Sequence, residues 1–288
     1  MSEWTRDYLE LTKPRITALI LICTAVGYAF GYRSSFHPFM LVYVLLGTGL
    51  MASGTSALNQ WYEADSDARM HRTRKRPIPA GRIKRRHGLV FGVLVSIAGF
   101  AELWVETNPL TAVLGLFTLL SYLFVYTPLK RRSPMCTTVG AVPGAMPPLI
   151  GYAAARGHLD FSAFALFAIL FVWQFPHFYA IAWMYREDYA KGGIRMLPVV
   201  YPDGRRSTAR RIVACSLLLI PVSLLPWFLG MTGSIYFTSA IAAGFGFLYF
   251  GVRLRGERTC TRARHVLLAS VLYLPVLLAV MVMDRQLA

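Results

Sequence analysis

Long uncharged apolar runs alternate with short, strongly charged segments along the whole chain. A helix needs about 20 apolar residues to cross the hydrocarbon core of a bilayer. The pattern predicts nine such helices, at residues 16–32, 38–61, 88–104, 109–127, 135–155, 161–184, 212–230, 234–252 and 266–283. The seventh and eighth share one uncharged run, 212–252, which is too long for one span and breaks at Gly230-Met231-Thr232-Gly233. The span 88–104 is short and ends beside Glu102. The mixed charge of residues 1–15 reads as a retained first helix rather than a cleaved signal peptide. No linker or low-complexity segment divides the chain, so 1–288 reads as a single all-α membrane domain.

Charge changes this picture from a list of spans into a topology. The chain is 56% hydrophobic and 15% charged, with a formal net charge of +16. A soluble domain averages about 25% charged residues. Sorting segments onto alternate sides puts 27 of the 30 Lys and Arg residues on one side and leaves only Arg33, Arg156 and Arg285 on the other. Such asymmetry marks the cytoplasmic face. The N-terminus is therefore expected in the cytoplasm and the C-terminus outside. The same sorting excludes a nucleic-acid partner, because the basic residues sit in short loops between membrane-length runs. Cys23, Cys136, Cys215 and Cys260 are scattered, which gives no thiolate metal site.

Two long loops on the basic side, 62–87 and 185–211, hold six of the 14 acids. Acids there do nothing for insertion. Asn59, Glu63 and Asp67 are spaced by four and share one face if the second helix continues past the membrane. An amide oxygen and two carboxylates suit Mg²⁺, which joins carboxylates to substrate phosphates. Asp65 falls on the opposite face. The arginines that follow, among them Arg72 and Arg76, can fork onto phosphate oxygens. A solvated helix end and a loop on anionic lipid heads are the plainer readings; the second explains the arginines but not the acids. The loop after the sixth helix brings Glu187 and Asp188, with Asp188 the better placed. Within the membrane, polar residues are costly and become functional candidates. Gln174 and His177 share a face of the sixth helix, suited to a ring substrate or to bonding a neighbouring helix. Pro143, Pro147 and Pro148 with Gly140, Gly144 and Gly151 predict a distorted fifth helix lining a cavity. Aromatic residues such as Tyr126 and Tyr185 near the inner ends form an interfacial belt or face a reacting cation.

The run from Asn59 through Glu63, Asp65, Asp67, Met70, Arg72 and Thr73 to Arg76-Pro77-Ile78-Pro79-Ala80-Gly81-Arg82 resembles the UbiA superfamily of intramembrane prenyltransferases. Leu11-Thr12-Lys13-Pro14-Arg15, Tyr126-Thr127-Pro128-Leu129-Lys130-Arg131 and Asp188-Tyr189 extend the likeness to nearly the whole chain. Segments 140–152 and 173–183 resemble its protoheme-farnesylating branch. The resemblance implies a nine-helix bundle around a central cavity in the bacterial inner membrane. It implies farnesyl diphosphate and protoheme IX as substrates, Mg²⁺ as cofactor and haem O as product. Asn59, Glu63, Asp67, Glu187 and Asp188 would hold the metal, and Arg72, Arg76 and Lys130 the diphosphate. Gln174, His177, Tyr126 and Tyr185 would line the substrate site, with His177 a candidate iron ligand. Haem A synthase and a terminal oxidase assembly are the implied partners. Glu63 and Glu187 stand where the family more often has Asp, and Arg195 replaces a common Pro. A quinone precursor such as 4-hydroxybenzoate is the rival acceptor. A transporter is the rival class, and it would place its polar residues at the membrane centre.

Overall fold

A computed structural model describes residues 3–32, 36–201 and 203–286. Among these residues the chain forms helices joined by turns, with one isolated antiparallel bridge between Thr232 and Arg285. In chain order the helices are α1 (Glu3–Leu11), α2 (Pro14–Gly31), α3 (Pro38–Arg69), α4 (Arg85–Glu106), α5 (Pro109–Leu120), α6 (Cys136–Gly144) and α7 (Pro147–Arg156). There follow α8 (Phe161–Met184), α9 (Arg186–Gly192), α10 (Gly204–Ser223), α11 (Ser234–Gly256) and α12 (Cys260–Met283). Short turns lie at Thr127–Leu129, Leu197–Val200 and Leu225–Phe228.

Eight helical runs among the described residues are long and apolar enough to cross a membrane. They match eight of the nine expected spans. The remaining one, 135–155, is the broken pair α6–α7. Pro143, Pro147 and Pro148 bring no N–H to the helical ladder. The chain bends at Ala145 and Met146, where the Ala145 N–H is shared between the carbonyls of Ala141 and Val142, each at 3.1 Å. Large apolar side chains such as Leu94, Phe124, Phe245 and Leu272 remain exposed around the bundle. A soluble fold would not leave so much apolar surface uncovered, whereas lipid tails accept it. The chain is a multi-pass integral membrane protein.

Helix ends follow local chemistry. Pro occupies the first turn of α2, α3 and α5, where its missing N–H costs nothing. Asn108 caps α5 by accepting the Thr111 N–H at 3.0 Å, and Asp160 caps α8 by accepting those of Ser162 and Ala163 at 3.0 and 3.3 Å. Between helices, small residues allow close approach. A Cβ on Gly27 of α2 would lie 2.0 Å from the Pro148 carbonyl oxygen of α7, and one on Gly151 would lie 1.9 Å from that of Thr24. α2 therefore lies backbone against backbone on α7, the element bearing the bend.

Past α5 the chain adopts a π turn, Ser121–Tyr126. Thr127 donates both its N–H and its hydroxyl to the Tyr122 carbonyl, five residues back, the hydroxyl at 2.8 Å. The connections at residues 70–84, 130–135 and 185–196 meet at one end of the bundle, together with α1. Arg82 bonds Asp7 and Glu10 of α1, and Arg69 donates to the Gly192 carbonyl at 3.1 Å. The Arg195 N–H donates to the Lys130 carbonyl at 2.7 Å.

Candidate active site

The last turns of α3 carry the first expected cluster. The helix runs unbroken to Arg69, so the four-residue spacing puts Asn59, Glu63 and Asp67 in one row. Asn59 and Asp67 are buried. Asn59 Nδ2 donates to Glu63 Oε2 at 2.8 Å. Asp65 points away into solvent and faces Arg85 at 3.3 Å.

Cations from three other segments close on this row. Lys130 Nζ contacts both Glu63 oxygens, at 2.9 and 3.0 Å, with both side chains nearly buried (11% and 12% exposed). Burial opposes the charge on Lys130, but Glu63, with Tyr126 and Tyr122, outweighs it and holds the ammonium well above the ordinary lysine range. The Tyr126 ring centroid lies 4.5 Å from the same Nζ. Arg76 Nη1 meets Asp67 Oδ2 at 2.6 Å. The Asp67 carbonyl also accepts the Thr73 hydroxyl at 3.0 Å, which ties the arginine loop to the end of the helix.

The third cation is Lys13. Its backbone, at φ 49° and ψ 63°, is in the left-handed region, unlike any other non-glycine residue among those described. That conformation costs an L-residue about 1–2 kcal/mol. It turns the corner from α1 into α2 and lets Nζ donate to Asn59 Oδ1 at 3.1 Å. Burial pulls the Lys13 pKa down to about 7, and the charges of Arg76 and Lys130 push the same way. In the sequence this residue stands only as the lysine of the run Leu11-Thr12-Lys13-Pro14-Arg15, with no role of its own.

The second acidic loop does a different job. Asp188 accepts the backbone N–H groups of His71 and Arg72 at 3.2 and 3.0 Å. Arg72 donates to the Tyr189 hydroxyl at 3.1 Å and stacks its guanidinium over the Tyr185 ring, 4.6 Å from the centroid. Glu187 is exposed. Asp188 thus clamps the two loops together over the bundle rather than joining Glu63 and Asp67. Among the described residues no three His, Cys, Asp or Glu side chains form a ready-made metal cage. The donor set on α3 is nevertheless all oxygen, which suits Mg²⁺. Asn59 Oδ1, both Glu63 oxygens and Asp67 Oδ2 already face a cation, so the row is built to be neutralised. On that chemistry the residues fit the ion.

Beneath the row lies a cavity of about 390 Å³. Lys13, Tyr122 and Tyr126 line it at the charged end; Gly140, Gly144 and Pro147 of the broken pair, and Trp173, Gln174 and His177 of α8, line its wall. The Gln174 amide donates to the carbonyls of Ala141 and Leu170, both at 3.1 Å. A Cβ on Gly144 would lie 2.0 Å from Gln174 Oε1. Gln174 thus braces the bend as well as facing the cavity. His177 Nδ1 lies 2.8 Å from the Ser270 hydroxyl of α12. The structure therefore brings Asn59, Glu63, Asp67, Arg76 and Lys130 together above a cavity lined by Tyr126, Gln174 and His177. Arg72, Tyr185, Glu187 and Asp188 belong to the cap.

A cation-ringed row of oxygen donors over an apolar intramembrane cavity is a site for a charged head on a greasy tail. In agreement, residues 20–281 match the UbiA prenyltransferase family, and the chain belongs to that family. Within it, the chain is 58% identical to the protoheme IX farnesyltransferase of Solibacter usitatus, over 97% of this chain and 99% of that protein. It is 49% identical to the protoheme IX farnesyltransferase of Koribacter versatilis, over 97% and 93%. The fold matches a digeranylgeranylglyceryl phosphate synthase structure with a TM-score of 0.81 at 18% identity, over 98% and 99% of the two chains. It also matches a UbiA homologue from Archaeoglobus fulgidus bound to GPP and Mg²⁺, with a TM-score of 0.69 at 17% identity, over 96% and 99%.

Proposed function

We propose that the protein transfers the farnesyl group of farnesyl diphosphate to a vinyl group of protoheme IX, with addition of water, to give haem O and diphosphate. The observation that carries this reading is the meeting of Lys13, Arg76 and Lys130 with Asn59, Glu63 and Asp67 at the charged end of an apolar cavity. Two acids against three basic side chains leave the site short of negative charge, which a diphosphate supplies. The names of the relatives favour protoheme as the acceptor.

In this reading Asn59, Glu63 and Asp67 would hold Mg²⁺ that arrives with the diphosphate, while Asp188 holds the arginine loop over them. The metal supplies charge neutralisation on the leaving group. Arg72, Arg76, Lys130 and Lys13 bind the diphosphate oxygens, and their interaction strengthens as the C–O bond breaks and charge gathers on the leaving group. The cavity keeps bulk water from the allylic cation. Tyr122 and Tyr126 offer ring faces at its charged end, where positive charge is stabilised. The wall around Trp173, Gln174 and His177 holds the porphyrin so that a vinyl carbon meets farnesyl C1. Water then captures the vinyl-derived cation and releases a proton.

The same reading counts nine traverses, the fifth being the broken α6–α7. It puts the N-terminus and the acidic loops in the cytoplasm of a bacterial inner membrane, and passes the product to haem A synthase or a terminal oxidase. Membranes containing the protein, incubated with farnesyl diphosphate, protoheme and Mg²⁺, are expected to yield haem O by mass. Unchanged protoheme, together with prenylation of 4-hydroxybenzoate, would overturn the assignment.

A further inference from the structure

We propose that Nε2 of His177 is the axial ligand of the iron in the porphyrin substrate, and that Ser270 is the positioning residue that keeps this nitrogen available. This rests on protoheme as the acceptor.

The direction of the hydrogen bonds carries the inference. Ser270 is fully buried, and its hydroxyl donates to the Leu267 carbonyl at 2.6 Å. A hydroxyl has one proton. With that proton committed, the Ser270 oxygen at 2.8 Å from His177 Nδ1 must accept, so Nδ1 carries the hydrogen. A neutral imidazole protonated at Nδ1 has its lone pair on Nε2. Nε2 makes no hydrogen bond to any described residue. The ring cannot easily turn, because it stacks on Trp173 with centroids 4.8 Å apart and planes 23° apart. The Trp173 indole N–H is itself tied to the Ser270 carbonyl at 2.9 Å. One residue of α12 thus sets the tautomer of the histidine and the position of the ring it leans on.

The surroundings narrow the partner of Nε2. His177 is the histidine that lines the cavity. Its other soft donors, Cys23 and Met51, are 3% and 4% exposed, whereas His177 is only partly buried. A bare nitrogen lone pair facing an apolar cavity is unfavourable unless a partner arrives. A histidine that ligates a metal through one nitrogen typically donates its other N–H to a fixed acceptor, and haem iron commonly takes such a ligand. Ligation through Nε2 would fix the porphyrin plane relative to α8 and so choose where the vinyl edge sits under the diphosphate.

The test is optical and resonance Raman titration of the purified full-length protein with protoheme, in parallel with iron-free protoporphyrin IX. Wild type is expected to show an iron–imidazole signature and to prefer protoheme over the iron-free ring. His177→Ala is expected to lose the signature and that preference, to keep binding the iron-free ring, and to regain the signature with added imidazole. Ser270→Ala is expected to keep the ligand, shift the iron–histidine vibration and weaken protoheme binding about 10- to 100-fold. A wild-type complex without the signature, or a His177→Ala protein that retains it, overturns the ligation while haem O formation continues to support the acceptor. Failure of wild type to bind or farnesylate protoheme overturns the acceptor itself.

Discussion

Replacing Lys130 with methionine tests how the site is held when no substrate is present. The change keeps most of the side-chain volume and removes the charge facing Glu63 at 2.9 Å. Breaking a nearly buried ion pair from one side costs about 3–5 kcal/mol, because the remaining charge is stranded. Glu63 keeps the Asn59 amide at 2.8 Å, and Lys13 is held nearby on Asn59, so the low end, about 3 kcal/mol, is expected. Removing both charges, in Lys130→Met with Glu63→Gln, strands nothing and is expected to cost about 1 kcal/mol. The second change thus rescues about 2 kcal/mol of the first, and the coupling exceeds this by whatever Glu63→Gln costs alone. Equilibrium unfolding of wild type, both single variants and the double variant in mixed detergent micelles, followed by tryptophan fluorescence, measures it directly. A double variant as unstable as Lys130→Met alone would refute the reasoning, since neutralising Glu63 would then relieve no stranded charge.

Other outcomes follow from the same contacts. Asp67→Ala is expected to abolish haem O formation in isolated membranes while the protein remains folded; turnover like wild type would remove Asp67 from the site. Gly151→Ala sets a Cβ 1.9 Å from the Thr24 carbonyl oxygen and is expected to cost about 1–3 kcal/mol, whereas Gly246→Ala, with nothing within 4 Å, should be neutral or slightly stabilising in the same unfolding assay. Asp160→Ala removes the cap of α8 and is expected to cost about 1 kcal/mol at neutral pH. Burial works against the Asp160 charge, but bonds from the Tyr152 hydroxyl and the Ala163 and Ser162 N–H groups hold its pKa below the ordinary value. Its stabilisation is therefore present above about pH 4 and lost as pH falls through the lower folded value. The gap between variant and wild type should narrow in acid.

What could be read along the chain was whatever depends on short spacing. The row of Asn59, Glu63 and Asp67 needs only one unbroken helix, and the prolines and glycines of 140–151 announced a distorted element. What escaped depends on contacts between distant segments. Lys13 reaches Asn59 only because a left-handed corner aims it there. No spacing rule ties Lys130 to Glu63, 67 residues apart. Asp188 looks like a metal ligand in sequence, yet its oxygens accept backbone N–H groups of the opposite loop. Gln174 reads as a substrate contact, and only the fold reveals the carbonyls it braces.

The π turn at Ser121–Tyr126 works as an expansion joint in the chain. A π turn holds one residue more than the α ladder needs, and it takes up that residue within the widened turn. The helix beyond it therefore keeps its phase, with Thr127 on Asn59 and Lys130 on Glu63. A further residue inserted downstream as ordinary α-helix would instead rotate Lys130 by about 100°, the angle per residue of an α-helix, and swing it off Glu63. The joint is already taken up, so the number of residues from α5 to the lysine is fixed.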